Sequence, residues 1–172
     1  NKYMRVVEPR RYIFGLTGYP LGHSMSPVIH KALFEISGID ASYVMVETPP
    51  EELGDSFRKS LSAMRGFNVT IPHKINIIRY LDELSPRAKL FGAVNTVDVG
   101  EDNIVGHNTD CAGFLSALQM ADIELGGNVL LLGSGGVARM IAFEAILAEA
   151  DLTIAVRESG IPSADKIKKE IK

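Results

Sequence analysis

Short runs of β-branched and aromatic residues alternate along this chain with longer stretches in which apolar residues recur at helical spacing. The pattern predicts, in chain order, strand 12–18, a helix from Ser26 to Gly38, strand 42–48, a helix between Pro49 and Gly66, strand 67–70, helix 72–84, strands 93–99 and 103–106, helix 111–120, strand 129–133, helix 136–150, strand 152–157 and helix 163–172. Strands that alternate with helices are typical of an α/β fold with a mostly parallel sheet.

We expect a domain boundary within 122–128, which gives a first domain at 1–122 and a second at 123–172. The second domain is predicted to contain a strand, a helix, a strand and one more helix. A complete dinucleotide-binding fold has two βαβαβ halves, so the second domain is predicted to be an incomplete Rossmann-like domain.

Composition narrows the classes of protein that the chain can belong to. Of its 172 residues, 46% are hydrophobic and 23% are charged, which is ordinary globular usage and enough for a core. The net charge is −3 and no long basic run occurs, so a nucleic-acid partner is not expected. Apolar runs such as 129–132 are far too short to span a membrane, and no membrane partner is expected.

The content of cysteine and histidine argues against disulfides and metals. The chain has a single cysteine, Cys111, which cannot form an internal disulfide or a thiolate metal site by itself. Its four histidines lack the spacing of metal ligands, so we expect no metal and treat them as ordinary polar residues. A lone cysteine fits a reducing, cytoplasmic location.

Lys74 and Asp110 each follow a strand-like segment and form a candidate acid/base pair. A lysine near a helix amino end gains nothing from the helix dipole, so local stability does not explain Lys74. In a pocket it could exchange a proton with an alcohol while the carboxylate of Asp110 fixes its position. The alternatives are an exposed surface lysine and, for Asp110, the N-cap of helix 111–120.

Hydroxyl and amide side chains stand near the ends of the predicted strands. Ser24 and Ser26 lie between a strand and a helix, where two hydroxyls suit a carboxylate ligand, although Ser26 alone is better explained as a helix cap. Thr70 and Asn95 could bond sugar-like hydroxyls or could satisfy the backbone of a loop.

A glycine turn, Gly133-Ser134-Gly135-Gly136, follows an apolar strand and opens a helix. In that context backbone N–H groups can approach a pyrophosphate, although a turn without a ligand is the alternative. The next strand ends at Arg157 and Glu158, which favour a 2′-phosphate and a free 2′-hydroxyl respectively, so the pair leaves NADP and NAD both open.

Five motifs in order carry a resemblance to a known family. They are G-x-P-x-x-H-S-x-S-P at 18–27, N-V-T-x-P-x-K at 68–74, G-A-V-N-T at 92–96, N-T-D-x-x-G at 108–113 and G-x-G-G at 133–136. With these motifs the chain resembles the shikimate dehydrogenase family over nearly all of 12–157. Any one motif is weak evidence, whereas five in the same order are specific.

The resemblance implies a role for each candidate residue. Lys74 and Asp110 would be the catalytic pair, Ser24 and Ser26 would hold the substrate carboxylate, and Thr70 and Asn95 would bind ring hydroxyls. The implied cofactor contacts are Gly133, Ser134, Gly135, Gly136, Val137 and Arg157. The implied fold is a substrate-binding α/β domain with a mostly parallel sheet, followed by the incomplete Rossmann-like domain.

The same resemblance implies a reaction and its partners. The reaction would be the NADPH-linked, reversible reduction of 3-dehydroshikimate to shikimate in aromatic amino acid biosynthesis. The cofactor would be NADP, with NAD as the alternative, the partner would be the small-molecule substrate, and a homodimer is a further expectation.

Two departures from the family pattern keep other hypotheses open. The family's N-R-T after the second nucleotide-domain strand is replaced here by Val156-Arg157-Glu158. Family members also continue beyond the position of Lys172, so we expect a chain truncated within its nucleotide-binding domain. The alternatives are a non-catalytic shikimate-binding module, an inactive fragment, and an NAD-linked quinate/shikimate dehydrogenase.

Overall fold

A computed structural model describes residues 11–171 of the chain. Its strands and helices are, in chain order, β1 (Tyr12–Gly18), α1 (Ser26–Ser37), β2 (Ala41–Glu47), α2 (Leu53–Lys59), β3 (Gly66–Val69), β4 (Glu83–Leu84), α3 (Pro86–Phe91), β5 (Thr96–Val99), β6 (Ile104–His107), α4 (Asp110–Met120), β7 (Asn128–Leu132), α5 (Gly136–Leu147), β8 (Asp151–Ala155) and α6 (Ile161–Glu170). Short 3₁₀ segments lie at Pro50–Glu52, Leu61–Ala63, Asn76–Tyr80 and Glu158–Gly160. The predicted α/β class is confirmed.

The chain divides into a first unit that ends at His107 and a second unit that begins at Asn108. Helix α4 therefore groups with the second unit, which begins fourteen residues before the boundary region inferred from the sequence. The predicted domains, 1–122 and 123–172, stay a prediction, because a division by packing need not coincide with a division by function.

The first unit is built on a six-stranded sheet with the order β2-β1-β3-β5-β6-β4. Strand β1 lies between β2 and β3 and pairs in parallel with both. The hairpin β5–β6 is antiparallel, and it joins β3 through an antiparallel pair and β4 through a parallel one. A turn at 100–102 closes this hairpin, with Gly100 N donating to Asn103 O at 2.9 Å.

One face of this sheet carries the main apolar core of the first unit. The buried core residues are Leu53, Phe57, Leu61, Met64, Phe67, Val69, Ile77, Ala88, Val94 and Val97. They come from β3, β5, α2, α3 and the 3₁₀ segments, so the short irregular elements are held by burial of their side chains rather than by their length.

The second unit contains a strand, helix and strand in which β7 and β8 pair in parallel and α5 connects them. Ala138, Ala142 and Ala145 are buried on α5, and their small side chains allow close packing of this helix. Within the described residues no helix is both long and apolar enough to cross a membrane.

The helix predicted over 72–84 is wrong. This stretch forms a turn, the 3₁₀ segment Asn76–Tyr80 and strand β4. The reason is tertiary: the carbonyl of Lys74 accepts a hydrogen bond from Val94 N at 2.8 Å, and Asp82 N donates to Ile104 O at 2.9 Å. These backbone groups are therefore committed to neighbouring segments and are not available for helical bonds.

Helix α3 was not predicted, although its signals are present in the sequence. Ser85 is the N-cap and accepts a hydrogen bond from Ala88 N at 3.4 Å, Pro86 occupies the first turn, and Gly92 ends the helix with a φ of 60°. Six residues are too few for a visible apolar period, so only the caps could have revealed this helix.

Candidate functional site

The two serines lie where the loop after β1 enters α1. Ser24 Oγ donates to Ser26 Oγ at 3.2 Å and accepts from Ser26 N at 3.3 Å. Helix α1 starts at Ser26 with Met25 as N-cap, and no side chain caps it. The expectation that Ser26 is the helix cap is therefore wrong, and both hydroxyls stay together at the start of the helix.

The segment from Thr70 to Lys74 is a tight turn anchored by a buried histidine. His73 N donates to Thr70 O, and the fully buried His73 ring places Nε2 2.7 Å from Thr48 O. A carbonyl oxygen only accepts, so His73 Nε2 carries a proton and donates it to Thr48 O. The treatment of His73 as an ordinary polar residue missed this anchoring role, which depends on a contact 25 residues away.

The end of β1 packs tightly on the same turn. A side chain at Gly18 would place its Cβ 2.3 Å from Thr70 Cγ2 and 3.0 Å from Ile71 O. Thr70 N donates to Thr17 O and Tyr19 N donates to Ile71 O, so the backbones are joined on both sides of the glycine. The position of Thr70 is therefore fixed by the sheet as well as by His73.

A chain of side-chain hydrogen bonds runs from β2 to the start of β5. Tyr43 OH donates to Asn68 Oδ1 at 2.7 Å, and Asn68 Nδ2 donates to Thr96 Oγ1 at 3.2 Å. Thr96 Oγ1 in turn donates to Asn95 Oδ1 at 3.0 Å, which orients the nearly buried amide of Asn95. Tyr43, Asn68 and Thr96 were not among the predicted site residues, although Asn68 and Thr96 belong to the quoted motifs.

Tyr43 also connects this chain to the serines. Burial raises the pKa of Tyr43 to about 12, and a hydrogen bond with Ser26 offsets part of that rise. The phenol therefore stays protonated, as a donor, throughout the ordinary pH range. The connected side chains link the predicted carboxylate site at Ser26 to the predicted hydroxyl site at Asn95.

A cavity of about 360 Å³ lies beside this chain of hydrogen bonds. Its lining includes Tyr43, Asn68 and Thr96 together with Phe14, His30 and Phe34. The rings of His30 and Tyr43 stack with centroids 4.0 Å apart, and His30 Nδ1 lies 2.9 Å from Ser26 O. Aromatic walls with a few polar groups are typical of small-molecule sites, but this cavity is not lined by any of the predicted substrate or catalytic residues Ser24, Ser26, Thr70, Lys74 and Asn95.

The structure places the proposed catalytic pair in different units. Lys74 lies half-buried in the first unit. Its backbone carbonyl accepts a hydrogen bond from Val94 N, next to Asn95. Asp110 is the first residue of α4 in the second unit, with Thr109 as N-cap, and Asp110 N donates to Asn108 Oδ1 at 3.1 Å. The alternative explanation of Asp110 as the N-cap is therefore wrong. The pairing of Lys74 with Asp110 stays a prediction.

The glycine turn forms the predicted strand-to-helix connection. Gly133 has a φ of 107°, which favours glycine, and Gly133 N donates to Ala155 O at 2.8 Å. A Cβ at Gly133 or Gly135 would meet nothing within 4 Å, so open space lies over the turn at the start of the twelve-residue helix α5. The residues present therefore fit a dinucleotide phosphate.

The loop after β8 lies directly against this turn. Ser134 Oγ donates to Gly160 O at 3.0 Å, which brings the exposed residues Arg157 and Glu158 near the glycine turn. Val137, in the first turn of α5, is also exposed. Arg139 pairs its Nε with Glu170 Oε2 at 2.6 Å and so joins α5 to α6. Among residues 11–171 no cluster of three metal-binding side chains occurs.

Comparisons with known proteins agree with this arrangement. Residues 16–97 match the family model described as the shikimate dehydrogenase substrate binding domain. A shikimate dehydrogenase (NADP(+)) of Shouchella clausii is 47% identical over 132 residues, which cover 74% of this chain and 48% of that protein. The chain thus spans about half the length of the curated relatives that it matches.

Two solved structures extend the likeness to the fold. Shikimate 5-dehydrogenase of Listeria monocytogenes in complex with shikimate and NAD is 35% identical, with a TM-score of 0.86 over 99% of this chain and 61% of that chain. The Thermus thermophilus enzyme in complex with NADP(H) and shikimate is 36% identical, with a TM-score of 0.83 over 93% and 60%. Residues 16–97 thus match the substrate-binding domain of the shikimate dehydrogenase family, and the chain is similar in sequence and fold to about half of each of these enzymes.

Proposed function

We propose that this chain supplies the substrate site and part of the cofactor site of an NADP-linked shikimate dehydrogenase. The reaction is the reversible reduction of 3-dehydroshikimate to shikimate in aromatic amino acid biosynthesis. The observation that carries the proposal is the series of hydrogen bonds that links Ser26 through Tyr43, Asn68 and Thr96 to Asn95, in a chain whose residues 16–97 match the substrate-binding domain of this family.

The polar groups suit a small hydroxylated acid. The hydroxyls of Ser24 and Ser26 lie together at the start of the twelve-residue helix α1, and both can donate to a carboxylate once the Ser24 O–H turns away from Ser26 Oγ. The amide of Asn95 and the hydroxyl of Thr70 can bond ring hydroxyls, and both are held in place by neighbours within the first unit.

Lys74 and Asp110 supply the acid/base chemistry. When bound, NADPH supplies the hydride that reduces the substrate carbonyl carbon. Lys74 gives a proton to the carbonyl oxygen as the alcohol forms and takes it back in the reverse direction. Asp110 holds the ammonium group and the reacting hydroxyl in position.

The glycine turn and Arg157 form the cofactor site of the proposal. The open space above Gly133 and Gly135 accommodates the pyrophosphate, and Arg157 favours the 2′-phosphate of NADP. The relative from Shouchella clausii is named for NADP(+), whereas the Listeria monocytogenes structure contains NAD. Glu158 therefore keeps NAD as the alternative cofactor.

Further parts of the proposal concern the setting of the protein. A net charge of −3 and a single cysteine support a cytoplasmic protein that does not bind nucleic acid. The proposal also includes that the protein forms a homodimer and that its domain boundary follows residue 122.

Calorimetric titration of the chain with shikimate and with NADP⁺, separately and then together, tests the proposal. We expect shikimate to bind, and Lys74→Ala to weaken that binding at least tenfold and to abolish any turnover, while Lys89→Ala, an exposed lysine of α3, changes neither. Binding of the acid without turnover would favour the non-catalytic module. Near-normal turnover by Lys74→Ala would remove Lys74 from the mechanism.

A further inference from the structure

A buried thiol and a buried carboxylate meet between helices α4 and α5. Cys111 is fully buried, Glu144 is 6% exposed, and Cys111 Sγ donates to Glu144 Oε1 at 2.9 Å. Glutamate is rarely buried to this degree, and a buried carboxylate is costly unless hydrogen bonds compensate it. The proposed function gives neither residue a role.

The placement of Glu144 separates it from the sheet-facing side of α5. Ala138, Ala142 and Ala145 form the buried stripe that suits close packing on β7 and β8. Glu144 and Met140, four residues apart, are also buried but lie on the opposite side of the helix, and α5 contacts α4. Helix α5 is therefore packed between the small sheet and α4, and the thiol–carboxylate bond lies in the α4 interface.

This bond is one residue away from Asp110. Asp110 and Cys111 are the first two residues of α4, and on the other side Asn108 Oδ1 accepts from Asp110 N at 3.1 Å. The partner of Cys111 lies on α5, the helix that begins at the glycine turn. We propose that the Cys111–Glu144 hydrogen bond is a positioning device, which fixes Asp110 relative to the glycine turn.

The Cys111–Glu144 hydrogen bond adds a directional restraint to the packing of α4 on α5. Because a hydrogen bond weakens steeply when donor and acceptor are misaligned, it opposes rotation or sliding of α4 along its axis. In the second unit, Asp110 and the glycine turn thus keep one relative position. The inference rests on the proposed function, in which Asp110 contacts the substrate and the turn holds the cofactor.

The test measures shikimate affinity and unfolding of the full chain for a set of variants. Glu144→Leu and Cys111→Ala each remove the hydrogen bond, and Glu144→Gln keeps an oxygen that can accept from the thiol. Ala145→Gly is the matched control, because it loosens a buried position of α5 that faces the sheet and not α4. Asp110→Ala reports the full contribution of the carboxylate.

We expect Glu144→Leu and Cys111→Ala each to weaken shikimate binding about three- to tenfold, less than Asp110→Ala does. The double variant with Cys111→Ala and Glu144→Leu should bind shikimate no more weakly than the weaker-binding single variant, because both substitutions break the same hydrogen bond. The shikimate affinity of Glu144→Gln should stay close to that of the unmodified protein. Ala145→Gly should lower stability without lowering affinity.

The outcomes distinguish failure of the inference from failure of the proposed function. Unchanged affinity in Cys111→Ala, with weakened binding in Asp110→Ala, would overturn the positioning role and leave the function standing. An equal loss of affinity in Ala145→Gly would also overturn it, since general loosening would then explain the effect. If Asp110→Ala binds shikimate normally, the assignment of Asp110 itself fails. Cys111→Ala decides the matter should Glu144→Leu not fold.

Discussion

At the scale of single residues, the candidate site contains side chains whose polar groups are oriented by hydrogen bonds to a neighbouring side chain. Tyr43 and Asn68 show this best, because each has its polar group committed along one chain of hydrogen bonds. The sequence motifs pointed to Ser26 and Asn95, which lie at the two ends of this series of hydrogen bonds. They did not identify Tyr43, which lies in a strand and carries no local signal of function.

Removal of the Tyr43 hydroxyl should change how stability depends on alkaline pH. The pKa of Tyr43 is about 12 in the folded chain against an ordinary value of 10, since burial disfavours the phenolate. Between these values the unfolded chain loses this proton first, so stability that is complete below pH 10 falls as pH rises toward 12. Unfolding by urea across this range, together with phenolate absorbance, should show this loss in the unmodified chain and a smaller one in Tyr43→Phe. Identical pH dependence in both proteins would contradict the burial of this phenol.

Gly18 should tolerate no side chain. In Gly18→Ala the new Cβ would lie 2.3 Å from Thr70 Cγ2 and 2.9 Å from a Leu21 methyl group, and we expect a loss of about 1–3 kcal/mol in the free energy of unfolding. Gly22→Ala is the control, because a Cβ there meets nothing within 4 Å. Urea denaturation measures both variants. Equal stability of the two would show that the end of β1 and the Thr70 turn are less closely packed than described.

At the scale of secondary structure, long elements follow the periodic pattern and short ones follow their caps and contacts. The alternation of strands and helices was predictable because apolar spacing survives over ten or more residues in α1, α4 and α5. The same reasoning wrongly predicted a helix over 72–84, because Ile77 is buried from a 3₁₀ segment rather than from an α-helix. Backbone bonds to β5 and β6 decide that conformation.

The N-cap of α3 gives a direct test of how short helices are held. Ser85→Ala removes the acceptor for Ala88 N, and we expect a loss of about 1 kcal/mol in unfolding free energy. Ser37→Ala, which removes an exposed hydroxyl bonded to Leu33 O inside α1, should change stability by less than about 0.5 kcal/mol. Thermal or urea unfolding compares them. A cap variant as stable as its control would mean that burial of Phe91 and Ala88 alone holds α3.

At the scale of the whole molecule, buried apolar volume is distributed unevenly between the two units. The first unit buries leucine, isoleucine, valine and phenylalanine in a continuous core, whereas alanine is the commonest buried residue of the second unit. On β7 the side chains of Leu130 and Leu132 are 64% and 75% exposed. Stability should therefore respond very differently to the same substitution in the two units.

A matched pair of leucines tests this difference. Leu61→Ala empties a fully buried position and should cost about 2–5 kcal/mol, because a cavity adds to the lost burial. Leu132→Ala removes a side chain that is 75% exposed and should change the free energy of unfolding by less than about 0.5 kcal/mol. Circular dichroism during urea titration gives both values. A large cost for Leu132→Ala would show that this face of β7 is covered in solution.

The sequence by itself determined the α/β class and the order of the main elements, and it also gave the resemblance to shikimate dehydrogenases and the predicted site residues Ser24, Ser26, Thr70, Lys74, Asn95 and Asp110. These follow from local spacing and from short motifs, whose information lies within a few neighbouring residues. Only the tertiary structure decided the turn at Lys74, the anchoring of His73 by Thr48, the path from Tyr43 to Asn95 and the pairing of Cys111 with Glu144. The physical reason is that each of these is a hydrogen bond between segments distant in the chain, and its partners become neighbours only when burial of the apolar faces brings those segments together.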